Sequence, residues 1–259
     1  MKISIITACF NSEKTIFKTI ESVLSQGYSD IEYIVIDGNS SDRTMDIIRS
    51  FGKAIDIVLS EPDTGIYDAY NKGLKLATGD IIGILNSDDY FISNQILSNI
   101  SNQFIKDPKL EAFFSGVQFI SKYSGKITRI IPAVGFSPWK MYLGLMPPHP
   151  GAYICREVYE KIGYFDTSFN ITGDFEFFVR IFLKHNIYYK KTDKIIVNMS
   201  LGGVSTSGLH SYIIITKEFS RSLIKNGLFG SKILLLFRGI VKLLQFSPFL
   251  SLKNKMSNK

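Results

Sequence analysis

The chain has 259 residues, a length that fits one large α/β domain with at most a modest appendage and excludes a long multidomain assembly. Hydrophobic residues make up 45% of the sequence and charged residues 20%, which excludes a disordered or collagen-like chain. Two cysteines, Cys9 and Cys155, cannot supply a disulfide framework, and the sequence opens into a strand-like run without a charged and apolar leader. These features predict a reducing, cytoplasmic setting.

The net charge of +7 is concentrated at the C-terminus. Residues 211–259 contain nine Lys or Arg and one Glu, a net +8, whereas the other 210 residues carry 21 basic and 22 acidic groups, a net −1. Because residues 1–210 have no excess of positive charge, their composition does not predict a nucleic-acid-binding surface.

Strand-like and helix-like patterns alternate through the first part of the chain. Short apolar runs predict strands, and apolar residues at helical spacing predict helices. The predicted strands are Lys2–Ala8, Glu32–Asp37, Asp56–Ser60 and Asp80–Leu85, and the predicted helices are Glu13–Gln26, Asp42–Phe51 with a cap at Ser41, and Ile66–Ala77. The alternation predicts an α/β fold whose Rossmann-like, mainly parallel sheet is flanked by helices.

The pattern is less regular after Phe91. The predicted elements are a helix Asn94–Ile105, antiparallel strands Glu111–Ser121 and Lys126–Ile131, a short strand after the proline-rich segment 146–151, and a helix from Gly173 to about Lys184. We therefore divide the chain into residues 1–91, residues 92–210 of the same domain, and a tail of residues 211–259.

Polar residues follow each of the first four predicted strands. They are Asn11, Asp37 and Gly38, Asp63, and the pair Asp88 and Asp89. Ligands of open parallel sheets collect outside the carboxyl ends of the strands, so we expect these loops to meet at one rim.

Several of these residues have both a functional and a structural interpretation. Adjacent Asp88 and Asp89 repel each other unless a cation or donors neutralise them, which favours Mg²⁺ or Mn²⁺, but Asn-Ser-Asp-Asp is also ordinary turn chemistry. Asp37 could accept the ring N–H of a pyrimidine or guanine base, or form an Asx turn, and Gly38 suits a positive φ or a close approach of a ligand. Asp174 could be a catalytic carboxylate or a helix cap.

His149 lies between prolines. It could contact a phosphate or an acceptor, or be a structural loop histidine.

The order and spacing of these motifs resemble a known family. The stretch from Ile3 to Tyr90, with IITACFNSEKTI, SVLSQGYSDIEYIVIDGNSSDRT, EPDTGIYDAYNKGLKLATGD and ILNSDDYF, resembles the nucleotide-sugar half of a family 2 glycosyltransferase of GT-A fold. It is similar especially to bacterial members that build capsule, exopolysaccharide or O-antigen repeat units. A thinner similarity continues through HPGAYICR, YFDTSF, TGDFEFFVR and LGGVST, so that residues 92–210 correspond to the acceptor-binding half.

The resemblance implies an inverting, metal-dependent enzyme that moves a sugar from a nucleoside-diphosphate sugar to a hydroxyl of a glycan acceptor. It implies that Asp174 is the catalytic base, with Glu176 the weaker candidate, and that Asp89 binds Mn²⁺ or Mg²⁺. It assigns substrate binding to Thr7, Asn11, Asp37, Gly38, Asp63, Asn71, Asp88, His149 and Glu176. Many relatives have Arg directly before the residue that corresponds to Asn71, whereas this chain has Tyr70 there. An arginine contact to the nucleotide is therefore not expected from this position.

Two rival functions use a similar sheet. A sugar nucleotidyltransferase usually carries a glycine-rich phosphate loop after its first strand, and residues 9–13 contain no glycine. A non-catalytic nucleotide-sugar-binding or assembly protein would be marked by loss of the carboxylates, and all of them are present here.

The tail contains an apolar segment, residues 228–246, with its polar residues on one side of a helix. Lys232, Arg238 and Lys242 interrupt it, so it does not predict a membrane-spanning helix. A basic amphipathic helix on an anionic membrane surface is one interpretation, and a helix packed on the body or on a second subunit is the other. The first predicts a peripheral protein on the inner face of the cell membrane, acting on a polyprenyl-diphosphate-linked acceptor.

Overall fold

The computed structural model describes residues 1–121, 124–200 and 208–230, and within these residues nine strands form one mixed sheet flanked by helices. The strands are β1 Ile3–Cys9, β2 Ile31–Asp37, β3 Ile57–Ser60, β4 Ile81–Ile84, β5 Tyr90–Phe91, β6 Ala112–Ile120, β7 Ile127–Ile131, β8 Ala152–Cys155 and β9 Tyr189–Ser200. The α-helices are α1 Ile16–Leu24, α2 Thr44–Ser50, α3 Ile66–Leu76, α4 Ile96–Lys106, α5 Arg156–Ile162, α6 Gly173–Val179 and α7 Gly208–Lys225. A π-helical segment, Arg180–Lys184, continues α6, and 3₁₀ turns lie at Gly52–Ala54, Pro138–Leu143 and His149–Gly151.

The strand order is β3-β2-β1-β4-β8-β6-β9-β5, with β7 paired to the outer part of β6. The four strands β3, β2, β1 and β4 are parallel, and β6 and β9 form a second parallel pair. The pairs β4–β8, β6–β8, β6–β7 and β5–β9 are antiparallel. The predicted α/β sheet is therefore confirmed, and so is the antiparallel pairing of β6 with β7.

The central strands are apolar because helices cover both of their faces. All seven residues of β1 are buried, and its alternate side chains enter two different cores. Ile6 packs on the side of α3 and α6, while Ile3 and Ile5 pack on the side of α1 and α4.

The C-terminal helix α7 packs on α6. The rings of Phe175 and Phe219 stack with their centroids 3.9 Å apart. The segment 228–246, which the sequence predicts as a basic amphipathic helix, lies almost wholly outside the described residues, so membrane contact stays a prediction. In the described part of the chain, no helix combines the length and hydrophobicity that crossing a membrane requires.

One local prediction is wrong, and several elements were not predicted. Ser41 does not cap α2, which begins at Thr44; the backbone N–H of Ser41 is held by Asn11, and the Asp42 carboxylate accepts hydrogen bonds from the N–H and hydroxyl of Thr44. The strands β5 and β9 and the helix α5 have no counterpart in the sequence prediction.

Candidate functional site

The loops after β1, β2 and β4 are tied together at the carboxyl ends of the parallel strands. The Asn11 N–H donates to Ser40 Oγ at 2.8 Å, and Asn11 Oδ1 accepts the Ser41 N–H at 2.9 Å. Asn11 takes a φ of 48°, a left-handed conformation that asparagine tolerates better than most residues. Ser12 and Ser87 share a hydrogen bond of 2.8 Å, which joins the loop after β1 to the loop that carries Asp88.

The Asp37 carboxylate lies at the end of β2 and is fully buried. It accepts hydrogen bonds from the N–H and hydroxyl of Ser40 and from Ser60 Oγ at 2.7 Å. The next residue, Gly38, lies against the loop after β3: a Cβ at this position would come within 2.5 Å of Asp63 Oδ2. Gly38 therefore serves a close approach between loops, and the positive φ, 64°, belongs to Asn39.

Asp88 and Asp89 form the acidic part of this rim. Asp88 is partly exposed, whereas Asp89 is 1% exposed and accepts hydrogen bonds from Asn86 Nδ2 at 3.1 Å and from the backbone of Ser200. Burial, followed by the charge of Asp88, raises the pKa of the Asp89 carboxyl well above its ordinary value. Ionising both carboxyl groups is therefore costly in this environment.

This carboxylate pair fits a divalent cation. A cation beside Asp88 and Asp89 would remove the cost of holding two neighbouring negative charges, one of them buried. Carboxylate oxygens are the hard ligands that Mg²⁺ and Mn²⁺ prefer. Among the residues that the structure describes, no three His, Cys, Asp or Glu side chains are grouped as a ready-made metal site.

Asp174 lies in the first turn of α6 and faces α3. Its Oδ1 accepts the Phe175 N–H at 2.8 Å and lies 3.4 Å from the hydroxyl of Tyr67, which also donates to the carbonyl of Ile171 at 2.7 Å. The approach of the two elements requires Gly173, because a Cβ there would lie 2.9 Å from the Tyr67 ring. Burial raises the pKa of the Asp174 carboxyl to about 6, despite the opposing hydrogen bonds from Phe175 and Tyr67.

A second tyrosine of α3 links Asp174 to the acidic pair. Tyr70 packs edge-on against Tyr67 with centroids 5.9 Å apart, and its hydroxyl donates to Asn86 Oδ1. Burial raises the pKa of Tyr70 well above its ordinary value, and the charges of Asp174, Asp89 and Asp88 raise it further. A chain of contacts therefore runs from Asp174 through Tyr67 and Tyr70 to Asn86, whose Nδ2 donates to Asp89 at 3.1 Å.

Sequence reasoning missed the roles of Tyr67, Tyr70 and Asn86. The available signal was the spacing of the two tyrosines, because residues three apart share one face of a helix. Tyr70 contributes a neutral hydroxyl to this part of the site.

Two of the predicted substrate-binding residues are engaged with the protein itself. Thr7 is fully buried, and its hydroxyl accepts a hydrogen bond from Tyr33 at 3.2 Å. The Asn71 side chain bonds both backbone groups of Phe165, donating to its carbonyl at 2.8 Å and accepting its N–H at 2.9 Å. These contacts hold α3 against the loop before α6, and a direct role in substrate binding stays a prediction for both residues.

Glu176 forms a buried ion pair within α6 and its continuation. It is 2% exposed, and its two oxygens accept hydrogen bonds from Arg180 Nε at 3.1 and 3.0 Å and from Asn226 Nδ2 at 3.1 Å. Arg180 also donates to the carbonyls of Ile162, Gly163 and Tyr164. This arginine therefore holds the segment before α6 in place, and the Glu176 carboxylate neutralises its charge.

His149 lies in a buried aromatic cluster beside the site. Its ring is 5.6 Å from that of Tyr70, 5.7 Å from Phe165 and 6.0 Å from Phe178, measured between centroids. Burial lowers the pKa of His149 to about 4, so the imidazole is neutral near pH 7 and brings no positive charge to a phosphate. A neutral contact to an acceptor stays a prediction.

Comparison with known proteins now assigns the family. The model of the family described as "Glycosyl transferase family 2" matches residues 4–163. The chain belongs to this family. The match covers the rim formed by the loops after β1 to β4, and Asp174 lies beyond its end.

The names of two relatives describe enzymes that act on lipid-linked sugars. The UDP-Glc:alpha-D-GlcNAc-diphosphoundecaprenol beta-1,3-glucosyltransferase WfaP of Escherichia coli is 33% identical over 168 residues, 64% of this chain and 64% of the relative. The dolichyl N-acetyl-alpha-D-glucosaminyl phosphate 3-beta-D-2,3-diacetamido-2,3-dideoxy-beta-D-glucuronosyltransferase of Methanococcus voltae is 30% identical over 264 aligned residues, 95% of this chain and 78% of the relative.

Two solved structures share the fold. S. aureus TarS 1–349 in complex with UDP-GlcNAc superposes with a TM-score of 0.67 at 19% identity, over 86% of this chain and 67% of that one. The mannosyltransferase PcManGT from Pyrobaculum calidifontis, in complex with GDP-Man and Mn²⁺, gives 0.64 at 18% identity, over 87% and 64%. The predicted GT-A fold is therefore confirmed, and this chain spans about two thirds of either solved chain.

Proposed function

We propose that this glycosyltransferase moves a sugar from a nucleoside-diphosphate sugar to a hydroxyl of a lipid-linked glycan acceptor, with inversion at the anomeric carbon. The observation that carries the proposal is the chain of contacts that links Asp174 to Asp89 through Tyr67, Tyr70 and Asn86. These contacts support a single site built from carboxylates of α6 and of the loop after β4.

In this proposal Asp174 is the general base. As the acceptor oxygen attacks the anomeric carbon, Asp174 takes the hydroxyl proton, and the bond from that carbon to the diphosphate breaks. A single displacement of this kind, through an oxocarbenium-like state, inverts the configuration. A pKa of about 6 suits the role, because the carboxylate is ionised at neutral pH and is a stronger base than an ordinary aspartate.

On the donor side, Asp88 and Asp89 would hold Mg²⁺ or Mn²⁺, which stabilises the negative charge of the departing diphosphate as a Lewis acid. Asp37 would accept a ring N–H of the base, with Asn11, Gly38 and Asp63 around it. Ser40 and Ser60 hold the Asp37 carboxylate in one orientation through their hydroxyl groups. The base could be uracil, thymine or guanine.

A polyprenyl-diphosphate-linked acceptor is the finer part of the proposal. It is supported by the names of the E. coli and M. voltae relatives, which act on a diphosphoundecaprenol and a dolichyl phosphate sugar. Such an acceptor would confine the reaction to the cytoplasmic face of a membrane, in surface polysaccharide assembly.

The test combines nucleotide binding with transfer. Thermal unfolding is followed with UDP, dTDP and GDP, each with Mn²⁺, with Mg²⁺ and with EDTA, since a ligand at 100 times its Kd stabilises by about 2.7 kcal/mol. Transfer from the matching sugar nucleotides to a synthetic polyprenyl-diphosphate-linked sugar is then measured for the wild type, Asp174→Asn and Asp193→Asn, a matched exposed control.

The expected result is that Asp174→Asn loses transfer and keeps metal-dependent nucleotide binding, while Asp193→Asn matches the wild type. Nucleotide binding without transfer in the wild type would favour a non-catalytic binding protein. Formation of a sugar nucleotide from a sugar phosphate and a nucleoside triphosphate would favour a nucleotidyltransferase. Full transfer by Asp174→Asn would disprove the assigned base.

A further inference from the structure

The carboxylate of Glu218 on α7 is buried against the segment that leads into α6. The residue is 7% exposed. Its Oε1 accepts the Asn170 N–H at 2.9 Å, and its Oε2 accepts the N–H groups of Ile171 at 3.1 Å and Thr172 at 3.0 Å. The Thr172 hydroxyl donates to the same Oε2 at 3.0 Å.

Four donors on one buried carboxylate form an unusually complete anchor. A buried charge is costly unless hydrogen bonds satisfy it, and bonds to an ionised acceptor are about twice as strong as neutral ones. All four donors come from residues 170–172, which lie immediately before Gly173 and Asp174. Glu218 therefore fixes the backbone that delivers the carboxylate of Asp174.

The same segment is held from its other side by α3. The Ile171 carbonyl accepts the hydroxyl of Tyr67, and that hydroxyl also lies 3.4 Å from Asp174 Oδ1. Ile171 is thus bonded through its N–H to α7 and through its carbonyl to α3. A shift of this residue would move Asp174 relative to Tyr67.

We propose that α7 belongs to the active site and that Glu218 is a positioning residue, which holds residues 170–172 so that Asp174 faces the rim carrying Asp88 and Asp89. This inference rests on the proposed function, because it concerns the residue assigned as the base. It gives the C-terminal helix a role in catalysis that is separate from any role of the residues after it in membrane contact.

Other contacts of α7 reach the same loop farther from Asp174 and supply a control. Arg221 donates to the Ser168 carbonyl at 3.1 Å and to its hydroxyl, and Lys225 pairs with Asp166. Loss of the Arg221 contacts weakens the docking of α7 but leaves the four bonds of Glu218 in place. Arg221→Gln is therefore the matched control for Glu218→Gln.

The variant Glu218→Gln keeps the size of the side chain and removes its charge. One of its two terminal atoms becomes an NH₂ donor, which cannot accept the N–H groups that now point at it. We expect residues 170–172 to lose part of their anchor and Asp174 to lose its fixed position. A misplacement of about 1 Å can cost about 100-fold in rate, so we expect kcat to fall by about tenfold or more.

The pH response separates positioning from a general loss of structure. The groups that act on Asp174 are the Tyr67 hydroxyl on α3, the Phe175 N–H on its own helix and the charge of Glu218 on α7, and the charge of Asp174 in turn acts on Tyr70. On the same helix and its continuation, Glu176 and Arg180 are paired with each other. The negative charge of Glu218 adds to burial in raising the pKa of Asp174. Removing that charge should lower the pKa, so the acidic limb of kcat should move to lower pH.

The experiment measures kcat, the KM for the donor, the Kd for the nucleoside diphosphate with Mn²⁺, and the carboxyl titration of Asp174 by ¹³C NMR, assigned by its absence in Asp174→Asn. The expected result for Glu218→Gln is a lower kcat, a Kd within about twofold of the wild type and a lower Asp174 titration midpoint. Arg221→Gln should change none of these by more than about twofold.

Unchanged kcat and an unchanged Asp174 titration in Glu218→Gln would overturn the inference. Parallel loss of transfer and nucleotide binding in both variants would also overturn it, because that outcome indicates a purely structural helix. Failure of the proposed function has a different signature: the wild type would show no transfer, or Asp174→Asn would retain it. The NMR titration would still decide whether Glu218 sets the environment of Asp174.

Discussion

Replacing Asp174 with Asn should stabilise the protein at neutral pH while abolishing transfer. Burial raises the pKa of this carboxyl from its ordinary 3.8 to about 6, a shift of about 2 units. At 1.36 kcal/mol per unit this corresponds to about 3 kcal/mol, and because the side chain is partly exposed we expect about 2 kcal/mol after solvent screening.

The sign follows from the raised pKa. The folded state favours the protonated carboxyl. The free energy of unfolding of the wild type is therefore highest, as far as Asp174 is concerned, below about pH 4, and it falls by about this amount as the pH rises through 6. Asparagine never ionises, so the two proteins should be equally stable near pH 4, and the variant should be more stable above pH 7.

Urea unfolding of both proteins at pH 4.5 and pH 7.5 measures the difference. Asp193→Asn changes an exposed aspartate and should alter the free energy of unfolding by no more than about 0.5 kcal/mol at either pH. A free-energy difference for Asp174→Asn that is the same at both pH values, or that favours the wild type at pH 7.5, would refute the reasoning.

Three further predictions concern the helix α3 and the aromatic cluster packed against it. Tyr67→Phe removes a hydrogen bond that favours the charged carboxylate of Asp174, so the pKa of Asp174 should rise. The acidic limb of the pH profile of kcat should move to higher pH by about half a unit, a small shift because the bond is 3.4 Å long; an unchanged limb would contradict this. Asn71→Ala leaves both backbone groups of Phe165 without their partner and should lower the free energy of unfolding by about 2 kcal/mol, measured in urea; a change of less than about 0.5 kcal/mol would contradict this. His149→Phe retains a ring in the aromatic cluster and should leave the Kd for the nucleoside diphosphate within about twofold by calorimetry; a larger loss would indicate a direct contact to the donor.

The rim could be predicted because local sequence determines it. Strand β1 and its neighbours are continuous apolar runs, and each ends at the polar residues that form the rim. Parallel strands bring their carboxyl ends to one edge, so the meeting of Asn11, Asp37 and Asp88 follows from the alternation of strands and helices. The order of the parallel strands, β3-β2-β1-β4, was not predicted, because different strand orders are compatible with the same alternation.

The acceptor-side half was harder to predict because its elements are held by distant residues. The strand β9 is parallel to β6 and antiparallel to β5. Neither pairing can be recognised from the local sequence of Tyr189–Ser200. The helix α7 packs on α6 through Phe219, whereas the predicted amphipathic segment 228–246 lies almost wholly outside the described residues. A membrane surface and a protein surface favour the same amphipathic pattern, so the sequence alone could not separate them.

The placement of Asp174 follows from this dependence on distant contacts. The helix α6 has seven residues, too few to be stable without tertiary contacts, so its orientation comes from what surrounds it. Gly173 fits under the Tyr67 ring and Phe175 stacks on Phe219, while residues 170–172 are bonded to Glu218. The direction of the Asp174 carboxylate therefore depends on Tyr67 of α3 and Glu218 of α7, which lie more than 40 positions away on either side in the sequence.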